Sequence, residues 1–129
     1  MSHPIRVYVV DDEVTILDAV GSLLAQDGYD VTTFGTASAA LDRCLRDAPE
    51  IVVTDFVMPG MSGGELALAL DERFGPGRPT LVCITGFASD LWPRFRRSFD
   101  RVLQKPFNYA DLLRALRELE VTRASGSDG

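Results

Sequence analysis

Five short apolar runs, separated by segments of helical periodicity or by turn signals, leave this chain few folds to choose from. Residues 5–10 form the first run, broken only by Arg6 and Tyr8. Val14, Leu17, Val20 and Leu24 follow at helical spacing, and Ile16 and Leu23 widen the stripe. Asp27 and Gly28 supply a stop. Val31, Thr32, Thr33 and Phe34 read as a second strand. A helix over residues 37–47 turns Ala40, Leu41, Cys44 and Leu45 inward and closes before Pro49. Residues 51–54 are β-branched throughout, as expected of a strand covered on both faces.

Beyond a loop at 56–61, Ser62 and Glu65 stand in capping-box spacing and open a helix reaching about Phe74. Gly75, Pro76 and Gly77 break it. Residues 80–84 give a fourth strand, ending at Thr85 and Gly86. Pro93 is tolerated only in a first helical turn, so any helix within 87–100 is short. Residues 101–104 make a brief fifth strand, and Asn108 caps a last helix carrying Leu112, Leu113, Leu116 and Leu119. The end is small and polar. We expect one domain over residues 1–122 and a disordered tail or linker stump over 123–129. Five strands alternating with five helices predict an α/β fold, a parallel sheet with helices on both faces and right-handed crossovers.

Two of the five runs end in acid. Asp11, Asp12 and Glu13 follow the first, and Asp55 follows the third. With strand order 2-1-3-4-5, strand order reverses between strands one and three, which is where ligands sit in open sheets. Carboxylates held together repel, so such a pocket needs raised pKa values or a bound cation. Oxygen-only ligands of high charge favour a hard ion such as Mg²⁺. The ends of the fourth and fifth strands add Thr85 and Lys105. The whole set suits phosphoryl transfer: a carboxylate nucleophile, a metal bridging phosphoryl oxygens, an ammonium as point charge and a hydroxyl donor. Each residue alone has a plainer reading. Asp11 and Asp12 could cap a helix, Thr85 could shape a turn, and Lys105 could be a solvated end.

Composition removes other classes. The chain has 129 residues, 46% hydrophobic and 25% charged, which fits one globular domain. Its net charge of −6 disfavours a nucleic-acid or anionic-membrane binder. No apolar stretch approaches a bilayer span, and residues 1–4 lack the pattern of a signal peptide. Cys44 and Cys83 lie in apolar surroundings without metal-ligand spacing and read as buried, reduced thiols. A cytoplasmic protein is expected.

The chain resembles the response-regulator receiver domain of two-component signalling. The resemblance covers about residues 4 to 121. It rests on Val-Asp-Asp-Glu at 10–13, Thr-Asp-Phe-Val-Met-Pro-Gly-Met-Ser-Gly at 54–63, Thr85 with Gly86, and Lys105, Pro106 and Phe107. It implies a flavodoxin-like (βα)5 three-layer sandwich of order 2-1-3-4-5. It implies Asp55 as phosphoacceptor, and Mg²⁺ held by Asp12, Asp55 and the Val57 backbone carbonyl, with Asp11 acting through water. Lys105 would pair with Asp55 and then with the phosphoryl group, Thr85 would move toward the phosphate, and Pro106 would follow a cis peptide. A histidine kinase or histidine phosphotransfer protein would be the donor. Such a domain is a switch for a downstream protein rather than an enzyme, and homodimerisation stays open.

Three departures from the family carry expectations. Val102 stands three residues before Lys105, where many receivers carry an aromatic switch; a stiff valine has no ring to swing. Thr85 is then expected to act through the backbone near Phe87 and Trp92. Val57 and Phe87, two residues after Asp55 and Thr85, are apolar and cannot orient an attacking water, so a long-lived phosphoryl state is expected. Residues 87–101 concentrate Trp92, Phe95 and Phe99 with Arg94, Arg96, Arg97 and Arg101. That stretch is either sheet packing with solvated arginines or, with the last helix, a docking face. Among other functions, a phosphatase would need an acid where Val57 stands. A flavodoxin-like cofactor binder would need a Gly-rich loop where the acids stand. A pseudo-receiver that is never phosphorylated is the remaining alternative.

Overall fold

The computed structural model of the chain describes residues 3–86 and 93–127. Five parallel strands run β1 (Arg6–Val10), β2 (Asp30–Phe34), β3 (Ile51–Asp55), β4 (Thr80–Thr85) and β5 (Arg101–Gln104). They lie in the order β2-β1-β3-β4-β5. The helices are α1 (Val14–Gln26), α2 (Ala37–Arg46), α3 (Gly63–Phe74), α4 (Pro93–Arg96) and α5 (Tyr109–Ser127). A 3₁₀ turn, Gly75–Gly77, follows α3. The expected order and parallel pairing are both present.

The strand period of two divides the core. Val7, Val9, Ile51, Val53, Val82 and Ile84 face one side, where Leu17, Val20 and Leu24 of α1 and Leu112, Leu116 and Leu119 of α5 meet them. Tyr8, Val10, Val52, Leu81 and Cys83 face the other, against Ala40 and Cys44 of α2 and Leu66, Ala67 and Leu70 of α3. β3 is buried at every position, as its β-branched run suggested. Both thiols are free and buried. Burial pushes Cys44 up to about 11 and Cys83 up to about 12, so both stay protonated near neutral pH.

The element ends follow their local chemistry. Ser62 and Glu65 form the reciprocal capping box at the start of α3. Asn108 Oδ1 accepts the Asp111 N–H at 2.9 Å, opening α5. α1 stops at Asp27, and Gly28 takes φ 98°, the left-handed region that favours glycine.

Three expectations need correction. Val14 is 67% exposed, because it is the first residue of α1 and precedes the turn that meets the sheet. Leu45 is 43% exposed; α2 buries Ala37, Ala40 and Cys44 instead, a stripe that Leu45 falls beside. The last helix continues past residue 122 to Ser127. Each added residue gains a backbone bond at little nucleation cost, and Arg123 and Ala124 are good helix formers.

Arg78 ties the opposite edge of the sheet together. Its Nε donates to Asp71 Oδ1 at 2.5 Å, and its Nη1 to Asp100 Oδ2 at 2.9 Å and the Pro79 carbonyl at 2.8 Å. Asp100 Oδ2 also accepts the Leu81 N–H. One half-buried guanidinium thereby joins the end of α3, the start of β4 and the turn before β5. Arg78→Ala is expected to cost about 2 kcal/mol, lowering the melting temperature by about 5–10 °C. Arg78→Lys should recover only part, since an ammonium lacks the fork. Thermal unfolding followed by circular dichroism checks both; a change within about 1 °C for Arg78→Ala would remove the clamp from the stability account.

Candidate functional site

Backbone bonds at the carboxyl ends of the strands extend the sheet's ladder by one residue and fix where the site residues begin. Asp11 N–H donates to the Phe34 carbonyl beside it, Phe56 N–H to Ile84, and Lys105 N–H to Thr85. The residues that follow β1, β3 and β5 are thereby held at one edge. Lys105-Pro106 is a cis peptide, as the resemblance implied.

At that edge Asp11, Asp12 and Asp55 can each offer a carboxylate oxygen, all within 4.8 Å of one another. Asp11 and Asp55 are buried and Asp12 is exposed. Lys105 Nζ lies 3.3 Å from Asp55 Oδ2 and pairs with it. Three carboxylates against one ammonium leave the cluster two negative charges in excess, which a divalent ion would neutralise. The oxygen donor set and the close spacing fit a hard cation such as Mg²⁺.

Asp11 also has the plainer role. Its Oδ1 accepts the Glu13 N–H at 2.9 Å, shaping the turn into α1, whose own N-cap makes no side-chain bond. Asp11 is thus a turn-shaping residue within the acidic cluster, while Glu13 occupies the N-cap position of α1. Burial raises the Asp11 pKa, the Glu13 N–H opposes that, and the neighbouring Asp55 charge raises it further. A cation in the cluster would relieve both the desolvation and the repulsion.

Thr85 is buried at the end of β4, in register with Gln104 of β5. Val57 is 73% exposed, in the loop that leaves Asp55. Phe87 and Trp92 lie outside the described residues, and with them the expected path of Thr85 and half of the expected shield around a phosphoryl group. Of the basic-aromatic stretch, Phe99 is buried and Phe95 packs against the core. Arg96 and Arg97 are exposed, while Arg101 pairs with Glu118 of α5 at 2.7 Å. The two described aromatics of that stretch, Phe95 and Phe99, thus follow the packing reading. Val102 is partly buried in the same cluster as Phe95 and Phe99.

Two features escaped the sequence reading. Gly63 closes the 54–63 motif, and a Cβ there would sit 2.2 Å from the Asp55 carbonyl oxygen. Phe56, the residue after Asp55, meets Phe95 of α4 edge-on, with ring centroids 5.6 Å apart and planes at 70°. The paired glycines at 63 and 64 were the available signal. Two poor helix formers in a first turn imply a close approach of something else.

Residues 7–117 match the family model described as the response regulator receiver domain. The probable transcriptional regulatory protein TcrX of Mycobacterium tuberculosis is 32% identical over 118 residues, 91% of this chain and 50% of its own length. The response regulator MprA of Mycolicibacterium vanbaalenii is 32% identical over 98% of this chain and 54% of its own. The chain spans about half the length of these curated relatives. A CheY-like receiver domain protein from Methanospirillum hungatei superposes with a TM-score of 0.84 at 26% identity, covering 97% of this chain and 99% of that one. The response regulator TrrA of Thermotoga maritima, solved in complex with Mg(2+)-BeF, gives 0.78 at 27% identity, covering 88% and 97%. No described helix is long and apolar enough to cross a membrane. With the family match reaching all five strands and the acidic edge lying where strand order reverses, the chain belongs to the response regulator receiver domains of two-component systems.

Proposed function

We propose that Asp55 accepts a phosphoryl group in a Mg²⁺-dependent reaction and that the change alters a protein-binding surface. The observation that carries this reading is the meeting of Asp11, Asp12 and Asp55 within 4.8 Å, with Lys105 3.3 Å from Asp55. Asp12, Asp55 and the Val57 carbonyl would hold the ion directly, and Asp11 would hold it through water. When bound, the ion neutralises the cluster and the phosphoryl oxygens. A carboxylate oxygen of Asp55 attacks phosphorus; the bond from phosphorus to the donor breaks, and the leaving group departs with the electron pair. Lys105, released from its pairing with the free carboxylate, turns to the phosphoryl oxygens, and the Thr85 hydroxyl donates to one of them.

The donor is a histidine kinase or a histidine phosphotransfer protein, which places the domain in the cytoplasm. The receiving surface includes the exposed Arg96 and Arg97 and the adjoining face of α5. The module serves signalling and releases no product of its own. Neither nucleic acid nor a membrane is bound directly.

Incubation with acetyl phosphate and Mg²⁺ tests the reading. Intact-mass analysis is expected to show one added phosphoryl group, which does not appear when the ion is chelated beforehand, and Asp55→Asn is expected to reduce incorporation by about 10²-fold or more. Failure of the unaltered chain to take up the group would favour the pseudo-receiver, an interaction module that works without phosphorylation.

A further inference from the structure

An aromatic pair on the α3–α4 side stands where β5 lacks a ring. Phe56 follows Asp55 directly, and its backbone is held on both sides. Its N–H donates to the Ile84 carbonyl at 2.9 Å, and its carbonyl accepts the Gly63 N–H at 2.8 Å. Its ring meets the Phe95 ring edge-on, 5.6 Å between centroids. Both rings lie over the bare backbone of Gly64. A Cβ there would come within 2.7 Å of Phe95 Cδ1 and 2.8 Å of Phe56 Cε1. Phe95 belongs to the single turn of α4, and Phe99 just beyond it is buried in the same cluster. Val102 of β5 touches that cluster with a side chain too short and too stiff to swing between two positions.

We infer that Phe95, seated on Phe56 over Gly64, is the positioning residue through which a change at Asp55 reaches α4. The inference rests on the proposed role of Asp55. Movement of the Asp55 main chain carries Phe56 with it, because the two share a peptide unit, and the bonds of Phe56 to Ile84 and Gly63 pass that movement to β4 and α3. An edge-to-face pair has directional preference, so the Phe95 ring follows rather than slides. The bistable element is then the seat of one helical turn, not the rotamer of a residue on β5.

The test follows backbone amide shifts of residues 93–99 in the full chain by NMR, before and after acetyl phosphate with Mg²⁺. Incorporation is read separately by intact mass. Phe95→Leu is expected to keep incorporation within about twofold but to cut the α4 shift response by about threefold or more. Phe95→Tyr, which retains the ring, should keep the response, and so should Val102→Ala. Phe56→Leu removes the ring from the other side of the pair, should match Phe95→Leu, and serves if that variant does not fold. A response in the leucine variants equal to that of the unaltered chain overturns the inference, as does its loss in Val102→Ala. An unaltered chain that is phosphorylated without any shift in α4 overturns it too. Absence of incorporation in the unaltered chain overturns the phosphoacceptor reading and this inference with it, whereas unchanged incorporation with an unchanged response removes this inference alone.

Discussion

Gly63→Ala is expected to be the most damaging single-methyl substitution in the domain. The added Cβ would fall 2.2 Å from the Asp55 carbonyl oxygen, 3.1 Å from its carbon and 3.1 Å from the Phe56 Cα. All three are backbone atoms, so no side chain can rotate away. The same stretch is held by the Gly63 N–H bond to the Phe56 carbonyl and the Phe56 N–H bond to Ile84. Relief requires α3 to back away from β3, which opens the packing of Leu66, Ala67 and Leu70 against the sheet. Overpacking of this kind costs about 3 kcal/mol or more, a drop of about 10–15 °C in melting temperature. That is a large share of the roughly 5–15 kcal/mol that holds a domain together. Gly77→Ala is the control: nothing lies within 4 Å of its Cβ, and a change of less than about 1 kcal/mol is expected. Calorimetric melting of the two variants decides it. Equal, small effects would mean that the α3 start is compliant and that Gly63 serves only the turn.

Lys105→Ala should move two measurements in opposite directions. The ammonium lies 3.3 Å from Asp55 and is partly exposed. Removing it deepens the negative charge of the cluster, so Mg²⁺ should bind more tightly. After solvent screening, a gain of about tenfold is expected. Phosphoryl uptake should fall by about 10²-fold, because the positive charge that would stabilise the transferring group has gone. Calorimetric titration with Mg²⁺ and the rate of incorporation from acetyl phosphate measure the two effects. A fall in both would instead mark Lys105 as a structural prop of the edge, since loss of the fold weakens every function together. Lys105→Arg separates charge from shape: ion affinity should return toward that of the unaltered chain, while uptake recovers only in part.

Legibility of the chain was greatest where a residue's role depends on its near neighbours in sequence. The Ser62–Glu65 box and the Asn108 cap act through bonds reaching three residues, the β-branched run at 51–54 acts through each residue's own backbone preference, and all three stand as expected. The candidate site was readable for a related reason. Strand ends can be located from local pattern, and parallel strands bring their ends to one edge, so the nearness of Asp11, Asp12, Asp55 and Lys105 followed once the alternation was recognised. Helix faces were less certain at their margins. Val14 and Leu45 fit a stripe by spacing alone, but spacing does not tell where a helix begins to touch the sheet.

By itself, then, the order of residues determined the alternating elements, the parallel sheet and the gathering of acids with one lysine at its edge, because periodicity and strand-end chemistry are local. Only the tertiary structure decided which glycine admits no side chain, which arginine ties three elements together, and which two phenylalanines meet. Gly63 and Asp55, Arg78 and Asp100, and Phe56 and Phe95 are distant in sequence, and their contacts depend on how α3, α4 and the sheet pack at distances of a few ångströms. Close packing of that kind is set by the sum of all the elements' shapes, so no segment carries it alone.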